Sequence, residues 1–262
     1  MYEVLRDAIR AELPVALATV ISGPEGTEVG AKLLVRPGAE PMGSLGNVEL
    51  DRVVARDAEG ELVSGLTSTR HYGPNGEARQ EELAIFVESF APPPRMVIFG
   101  AVDFTAALVR AGKLLGYRVI VCDARPVFAT TQRFPLADEV VNDWPDRYLA
   151  AHGGSLGPID AVCVLTHDPK FDIPAITAAV KTNVGYLGAM GSRRTTATRN
   201  ERLREAGLSD AQIERVMGPI GIDIGARTPE ETAVSIVAEI IALRTGRAVA
   251  SLRDADGPLH RR

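Results

Sequence analysis

Three short clusters in this sequence carry residues that could do chemistry. Gly191-Ser192-Arg193-Arg194 places a glycine, a hydroxyl and two guanidinium groups where an apolar strand, Val184 to Ala189, runs into a helix that Gly207 ends. The free N–H groups of a helix start, its dipole and bidentate donors together make a phosphate site; the bland alternative is the solvated start of a surface helix. Thr166-His167-Asp168 closes the apolar run DAVCVLTHD. A strand end of this kind is where open α/β sheets hold ligands. It is equally a solvated turn ahead of a helix capped by Asp172, with Pro174 in its first turn. Gly221-Ile222-Asp223-Ile224-Gly225 supplies a single carboxylate between glycines, and turn and function do not separate there.

The elements that must position these clusters begin at Pro94. MVIFG is a short apolar run ending in Gly100, as a parallel strand buried on both faces requires. Apolar residues then fall at Phe104, Ala107, Leu108, Ala111, Leu114 and Leu115, one stripe of a helix that Gly116 stops. YRVIVC is a second strand, closed by Asp123 where a dinucleotide fold puts the acid that holds a ribose hydroxyl. The glycine turn departs from a dinucleotide fingerprint: its second and third glycine places hold Val102 and Thr105. Asp103 is expected to cap the helix N-terminus and take the place of an anion. An NAD(P)-dependent oxidoreductase is therefore the second reading, with Asp123 favouring NAD, Arg125 leaving that preference open, and His167 as the proton donor.

The whole pattern is α/β: a C-terminal doubly wound parallel sheet with helices on both faces, preceded by a smaller mixed α/β domain. In the N-terminal part, a helix over Met1 to Ala11 precedes a hairpin of VALATVIS and EVGAKLLVRPG. Gly43, Ser44 and Gly46 read as a tight loop feeding a helix from Val48, with an anion cradle as the sharper alternative. Two further strands flank a loop at His71 to Gly76, and Pro92-Pro93-Pro94 mark the boundary. The expected domains are 1–91, 95–248 and a frayed polar tail over 249–262.

With 262 residues, 45% hydrophobic and 24% charged, the chain reads as an ordinary globular protein, and its net charge of -5 gives no basic footprint for nucleic acid. No apolar run approaches the roughly 18 residues of a membrane helix, and MYEVLRDAIRAELP lacks a signal peptide's apolar core. A cytoplasmic protein without membrane contact is the expectation. Cys122 and Cys163 each fall in a buried strand and read as core residues. The last helix, with Ala233, Val234, Ile236, Val237, Ile240 and Ile241, forms a broad apolar face, and a homodimer is an expectation that the sequence leaves open.

The series VIFGA, THD, YLGAMGSRR and PIGIDIGARTPEETAVSIVAEI, in this order and spacing, resembles the XdhC/CoxI family, accessory proteins of molybdenum hydroxylases. GSLGNVELDRVV resembles that family's N-terminal glycine-serine loop, which ends in a glutamate. The resemblance implies a Rossmann-like C-terminal domain and a protein that binds molybdenum cofactor, as molybdopterin or its dinucleotide form. It implies delivery of that cargo to the apo-enzyme of a xanthine dehydrogenase- or CO dehydrogenase-type hydroxylase, with no catalytic residue and no metal ligand of its own. Ligand residues carried over are Gly43, Ser44, Gly46 and Glu49, then Thr166, His167 and Asp168, then Gly191, Ser192 and Arg193, and Asp223 with Gly225. The strand-turn-helix pattern adds Gly100 and Asp123. The chain has FGAVDF where the family has FGAGHV, and its first loop lacks the paired glycines and cysteine found before the glutamate. A relative that docks to the hydroxylase without binding cofactor is thus a third reading.

Overall fold

The computed structural model describes residues 1–77 and 82–254, and the chain divides into two compact units, Met1–Pro92 and Pro93–Arg262. In the first unit α1 (Tyr2–Arg10) leads into β1 (Val15–Ser22), β2 (Lys32–Val35) and β3 (Met42–Ser44), followed by α2 (Val48–Ser64), β4 (Ser68–Tyr72) and β5 (Leu83–Phe90). The five strands form an antiparallel sheet in the order β3-β2-β1-β5-β4. β1 sits at its centre, and because successive side chains alternate faces it feeds two cores. Ala16, Ala18 and Val20 pack with Leu50, Val54 and Ala58 of α2, whereas Val15 and Leu17 pack with Ala8 of α1. Buried Glu61 on α2 accepts from Ser68 Oγ at 2.5 Å and from Arg70, which ties the helix to β4.

Two details differ from the sequence reading. Gly43 and Ser44 lie in β3 rather than in a loop, because Gly43 takes a φ of +101° and a Cβ there would lie 2.3 Å from the Lys32 carbonyl of β2. Only a glycine permits that close pairing at the sheet edge. β4 also runs two residues into the expected turn, to Tyr72.

The second unit alternates strands and helices: β6 (Arg95–Phe99), α3 (Asp103–Leu114), β7 (Arg118–Cys122), β8 (Glu139–Val141), α4 (Pro145–His152), β9 (Ala161–Val164), α5 (Pro169–Ala179), β10 (Tyr186–Ala189), α6 (Arg193–Glu205), α7 (Asp210–Glu214), β11 (Val216–Met217) and α8 (Pro229–Thr245). All its strand pairs are parallel, in the order β11-β10-β9-β6-β7-β8. Counted within the unit this is 6-5-4-1-2-3, the doubly wound Rossmann order, which reverses between β6 and β9. Val97 and Phe99 of β6 face one core with Tyr148, Leu149 and Ile176; Met96 and Ile98 face the other with Leu108, Ile236 and Ile240. Both faces are covered, which is why these strands are apolar without alternation.

The caps expected at Ser209 with Gln212 and at Thr228 with Glu231 form as capping boxes, and Gly246 closes α8 in a left-handed conformation. α5 starts earlier than expected: Asp168 is its cap, accepting from the Lys170 N–H at 3.1 Å, and Pro169 is its first residue. Pro174 is therefore inside the helix, and Asp172 turns inward. β11 was not legible in VMGPIG, since two residues carry no periodicity. Of the expected tail over 249–262, residues 255–262 lie outside the described residues. No helix among the described residues is long and apolar enough to cross a membrane.

Candidate functional site

The reversal of strand order puts the ends of β6 and β9, Gly100 and Thr166, side by side at the carboxyl edge of the sheet. On the β6 side the protein satisfies its own donors. The Ala101 N–H donates to Asp123 Oδ2 at 2.7 Å, and the Val102 N–H donates to Thr105 Oγ1 at 3.3 Å. The buried Thr105 hydroxyl in turn donates to the Gly100 carbonyl at 2.5 Å. Asp103 does not cap α3; it occupies the first helical position with its side chain 94% exposed, 4.0 Å from Arg133. The closure is made by Thr105 and Asp123, which reach the turn from inside.

Asp123 is 3% exposed and fully engaged. Besides Ala101, it accepts from the Arg125 backbone N–H and Nε, each at 2.9 Å, and from Arg125 Nη2 at 2.7 Å. Burial opposes its charge, but the Arg125 and backbone donors outweigh burial and hold the carboxyl below its usual range. The acid placed for a ribose diol thus grips an arginine. A carboxyl with a lowered folded pKa contributes stability above its unfolded value of about 3.9, and that contribution is lost as pH falls through the folded value. Asp123→Asn is expected to cost about 2 kcal/mol at neutral pH and to flatten the acid limb of the stability curve. Denaturant titrations from about pH 7 to about pH 3 check this, and an unchanged acid limb would refute it.

On the β9 side a buried chain of polar contacts links two strand-end loops. The Thr166 hydroxyl donates to Asp172 Oδ1, Arg199 Nη2 lies 3.4 Å from Asp172 Oδ2, and the same nitrogen donates to the Met190 carbonyl. Asp172 comes from α5 and Arg199 from α6, so the ion pair clamps the loop after β9 to the loop after β10. Burial pushes the Asp172 carboxyl up and the Arg199 guanidinium down; the two charges oppose those shifts through each other. Among the described residues Arg199 Nη1 and Thr196 Oγ1 have no partner. The sequence reading missed this pair. Its only signal was that Arg199 shares a helical face with buried Leu203, four residues on.

The start of α6 remains open. Ser192 caps it, accepting from the Thr195 N–H at 3.1 Å, while the N–H groups of Arg193 and Arg194 have no intrahelical partner. Gly191 lies directly over the clamp, where a Cβ would come within 3.2 Å of Arg199 Nη2. Arg193 extends into solvent and meets Asp223 at 3.9 Å, both more than four-fifths exposed. The fold therefore gathers Thr166, Gly191, Ser192, Arg193 and Asp223 on one side of the reversal. His167 and Asp168 are exposed at the start of α5, where Asp168 serves as cap and pairs with Lys170 at 3.2 Å. Gly225 is exposed two residues beyond Asp223.

In the first unit, Ser44 Oγ accepts from the Gly46 N–H at 3.0 Å, Asn47 caps α2, and Glu49 is exposed and paired with Arg52 at 2.9 Å. The cysteines belong to the cores: burial pushes the Cys122 thiol up to about 12 and raises Cys163 also. No cluster of metal-ligating side chains occurs among the described residues. A cleft of about 360 Å³ lined by Leu149, Gly153, Ala178 and Thr182 opens where α4 and α5 end, away from the strand-end loops.

Residues 96–240 match the XdhC Rossmann domain, and residues 8–73 match the XdhC and CoxI family. The chain belongs to the XdhC and CoxI family. Over 165 residues, 63% of its length, this XdhC/CoxI-family chain is 35% identical to a probable xanthine dehydrogenase subunit of Bacillus subtilis, covering 47% of that protein. Over 99 residues, 38% of its length, it is 33% identical to the molybdenum cofactor insertion chaperone PaoD of Escherichia coli, covering 31% of it. The chain thus spans less than half the length of these curated relatives. Its fold is shared with the crystal structure of a xanthine dehydrogenase from Bacillus halodurans, at a TM-score of 0.54, 21% identity and coverage of 95% and 97% of the two chains.

Proposed function

We propose that this XdhC/CoxI-family chain is an accessory protein that holds molybdenum cofactor by its phosphate and hands it to an apo molybdenum hydroxylase of the xanthine dehydrogenase type. The observation that carries this reading is the contrast between two strand-to-helix turns on one sheet. The glycine turn leading into α3, where a dinucleotide fold would bind pyrophosphate, has its Ala101 and Val102 N–H groups taken by Asp123 and Thr105. α6 has open N–H groups, a capping serine and a solvent-exposed guanidinium. Phosphate is favoured at such a start by the helix dipole, amide donors and a bidentate arginine acting together. The names of the relatives, one a cofactor insertion chaperone and the other a probable xanthine dehydrogenase subunit, support this choice of cargo and recipient.

Purification from a molybdenum-replete host, followed by mass spectrometry of released small molecules, tests the cargo directly. Arg193→Ala is expected to lower retained molybdopterin about tenfold with little change in thermal midpoint, because its side chain is 91% exposed. Unchanged retention, or a large loss of stability instead, would count against the site. Saturable NAD(P) binding with turnover of a small alcohol or aldehyde would replace the proposal with an oxidoreductase. Co-purification with a hydroxylase but without any pterin would replace it with a docking relative.

A further inference from the structure

Across the strand reversal from α6, Arg125 after β7, Trp144 after β8, and Lys170 with Phe171 at the start of α5 bring two cations and several aromatic rings together. Arg125 is held at one edge by Asp123, with its guanidinium carbon 4.6 Å from the centroid of the Phe128 ring and 5.6 Å from that of Phe171. Lys170 Nζ lies 4.8 Å from the same Phe171 ring, and Trp144 packs against Phe171 with centroids 5.1 Å apart. Phe171 is buried and forms the floor of the group, whereas Trp144 keeps 38% of its surface in solvent. Asp123 takes Nε and Nη2 of Arg125, so the Nη1 edge is left free among the described residues. Lys170 is shared with exposed Asp168 at 3.2 Å.

A half-exposed indole on a rigid aromatic floor, with an ammonium and a pinned guanidinium one ring away, offers a face to a planar ring and donors to its anionic substituent. We infer that the loops after β7 and β8, with the start of α5, form a nucleotide platform: Trp144 stacks a nucleobase, and Arg125 with Lys170 holds the attached phosphate. The ligand class is a nucleoside monophosphate or the nucleotide half of a larger cofactor. Asp123 cannot serve as the ribose acceptor, since its oxygens are enclosed. The platform thus reads phosphate where an acidic strand end would read a diol.

This deepens the proposed function and rests on it for one consequence. β7 and β10 are three strand intervals apart in the sheet, about 14 Å, so the dinucleotide form of the pterin suits a cargo that reaches from the α6 start to Arg125 after β7. The platform itself is tested with free nucleotides.

Trp144 is the only tryptophan in the chain, so its fluorescence reports the site without labelling. Titration of the full-length protein with CMP, GMP and AMP is expected to give saturable quenching in the millimolar range or below by at least one of them. Ribose 5-phosphate and inorganic phosphate are expected to give none. By calorimetry, Trp144→Leu and Lys170→Ala should each weaken the best nucleotide about tenfold, with circular dichroism confirming that both variants remain folded. Arg193→Ala should leave nucleotide affinity unchanged while lowering pterin retention. Silence toward all three nucleotides, an equal response to ribose 5-phosphate, or full affinity in folded Trp144→Leu would overturn the platform. Nucleotide binding in a protein whose pterin retention ignores Arg193 would overturn the α6 site alone.

Discussion

Replacing Arg199 with methionine is expected to cost about 3–5 kcal/mol of folding stability, because it leaves the Asp172 carboxylate buried without its counter-charge. Both side chains are about 95% buried, and Asp172 would keep only the Thr166 hydroxyl as a charge-stabilising donor. The change also releases the Met190 carbonyl, so the loop leading to Gly191 loses its anchor. Burial already raises the Asp172 carboxyl in the intact pair, and removing Arg199 raises it further. A carboxyl with a raised folded pKa stabilises most below its unfolded value, and that contribution disappears as pH climbs through the folded one. Part of the loss in Arg199→Met should therefore return when pH is lowered from neutral into the carboxylate range. The double variant Arg199→Met, Asp172→Leu should recover much of the rest, as replacement of a whole buried pair by apolar residues often does. Urea midpoints of the single and double variants measure both effects. A single-variant loss below about 1 kcal/mol would mean that the clamp is not holding the two loops together.

Gly100→Ala is expected to have the next largest effect. Gly100 has a φ of +111°, and an added Cβ would lie 2.7 Å from Thr166 Cγ2 and 3.0 Å from the Thr166 backbone nitrogen. The backbone conformation and the steric push across the reversal together cost about 2–4 kcal/mol. Gly116→Ala separates the two, since Gly116 has a φ of +79° and nothing within 4 Å of its Cβ position. That control should cost about 1–2 kcal/mol, the left-handed backbone alone. Equal losses at the two positions would show that β6 and β9 are not in close approach at their ends.

Both effects concern contacts between residues far apart in the chain, and that is where sequence reading ran out. Asp103 illustrates it: its position at a helix start suggested a cap, but a carboxylate at the first helical position faces solvent while Thr105 and Asp123 reach the donors. Asp172 illustrates the converse. It read as a cap ahead of Pro174, yet Asp168 with Pro169 supplies the same local pattern four residues earlier and frees Asp172 for the interior.

The sequence by itself determined the order of strands and helices apart from β3 and β11, the doubly wound class and the capping boxes at Ser209 and Thr228. Each of these depends on residues within a turn or two of one another, where spacing and cap chemistry act directly. Only the tertiary structure decided which strand-to-helix turn stays open, which carboxylates are enclosed, and that Arg199, on a helix that reads as largely polar, lies in the core. A charged side chain's partner is set by which strand ends the sheet brings together, and the parallel order β11-β10-β9-β6-β7-β8 joins segments tens of residues apart that no local pattern pairs.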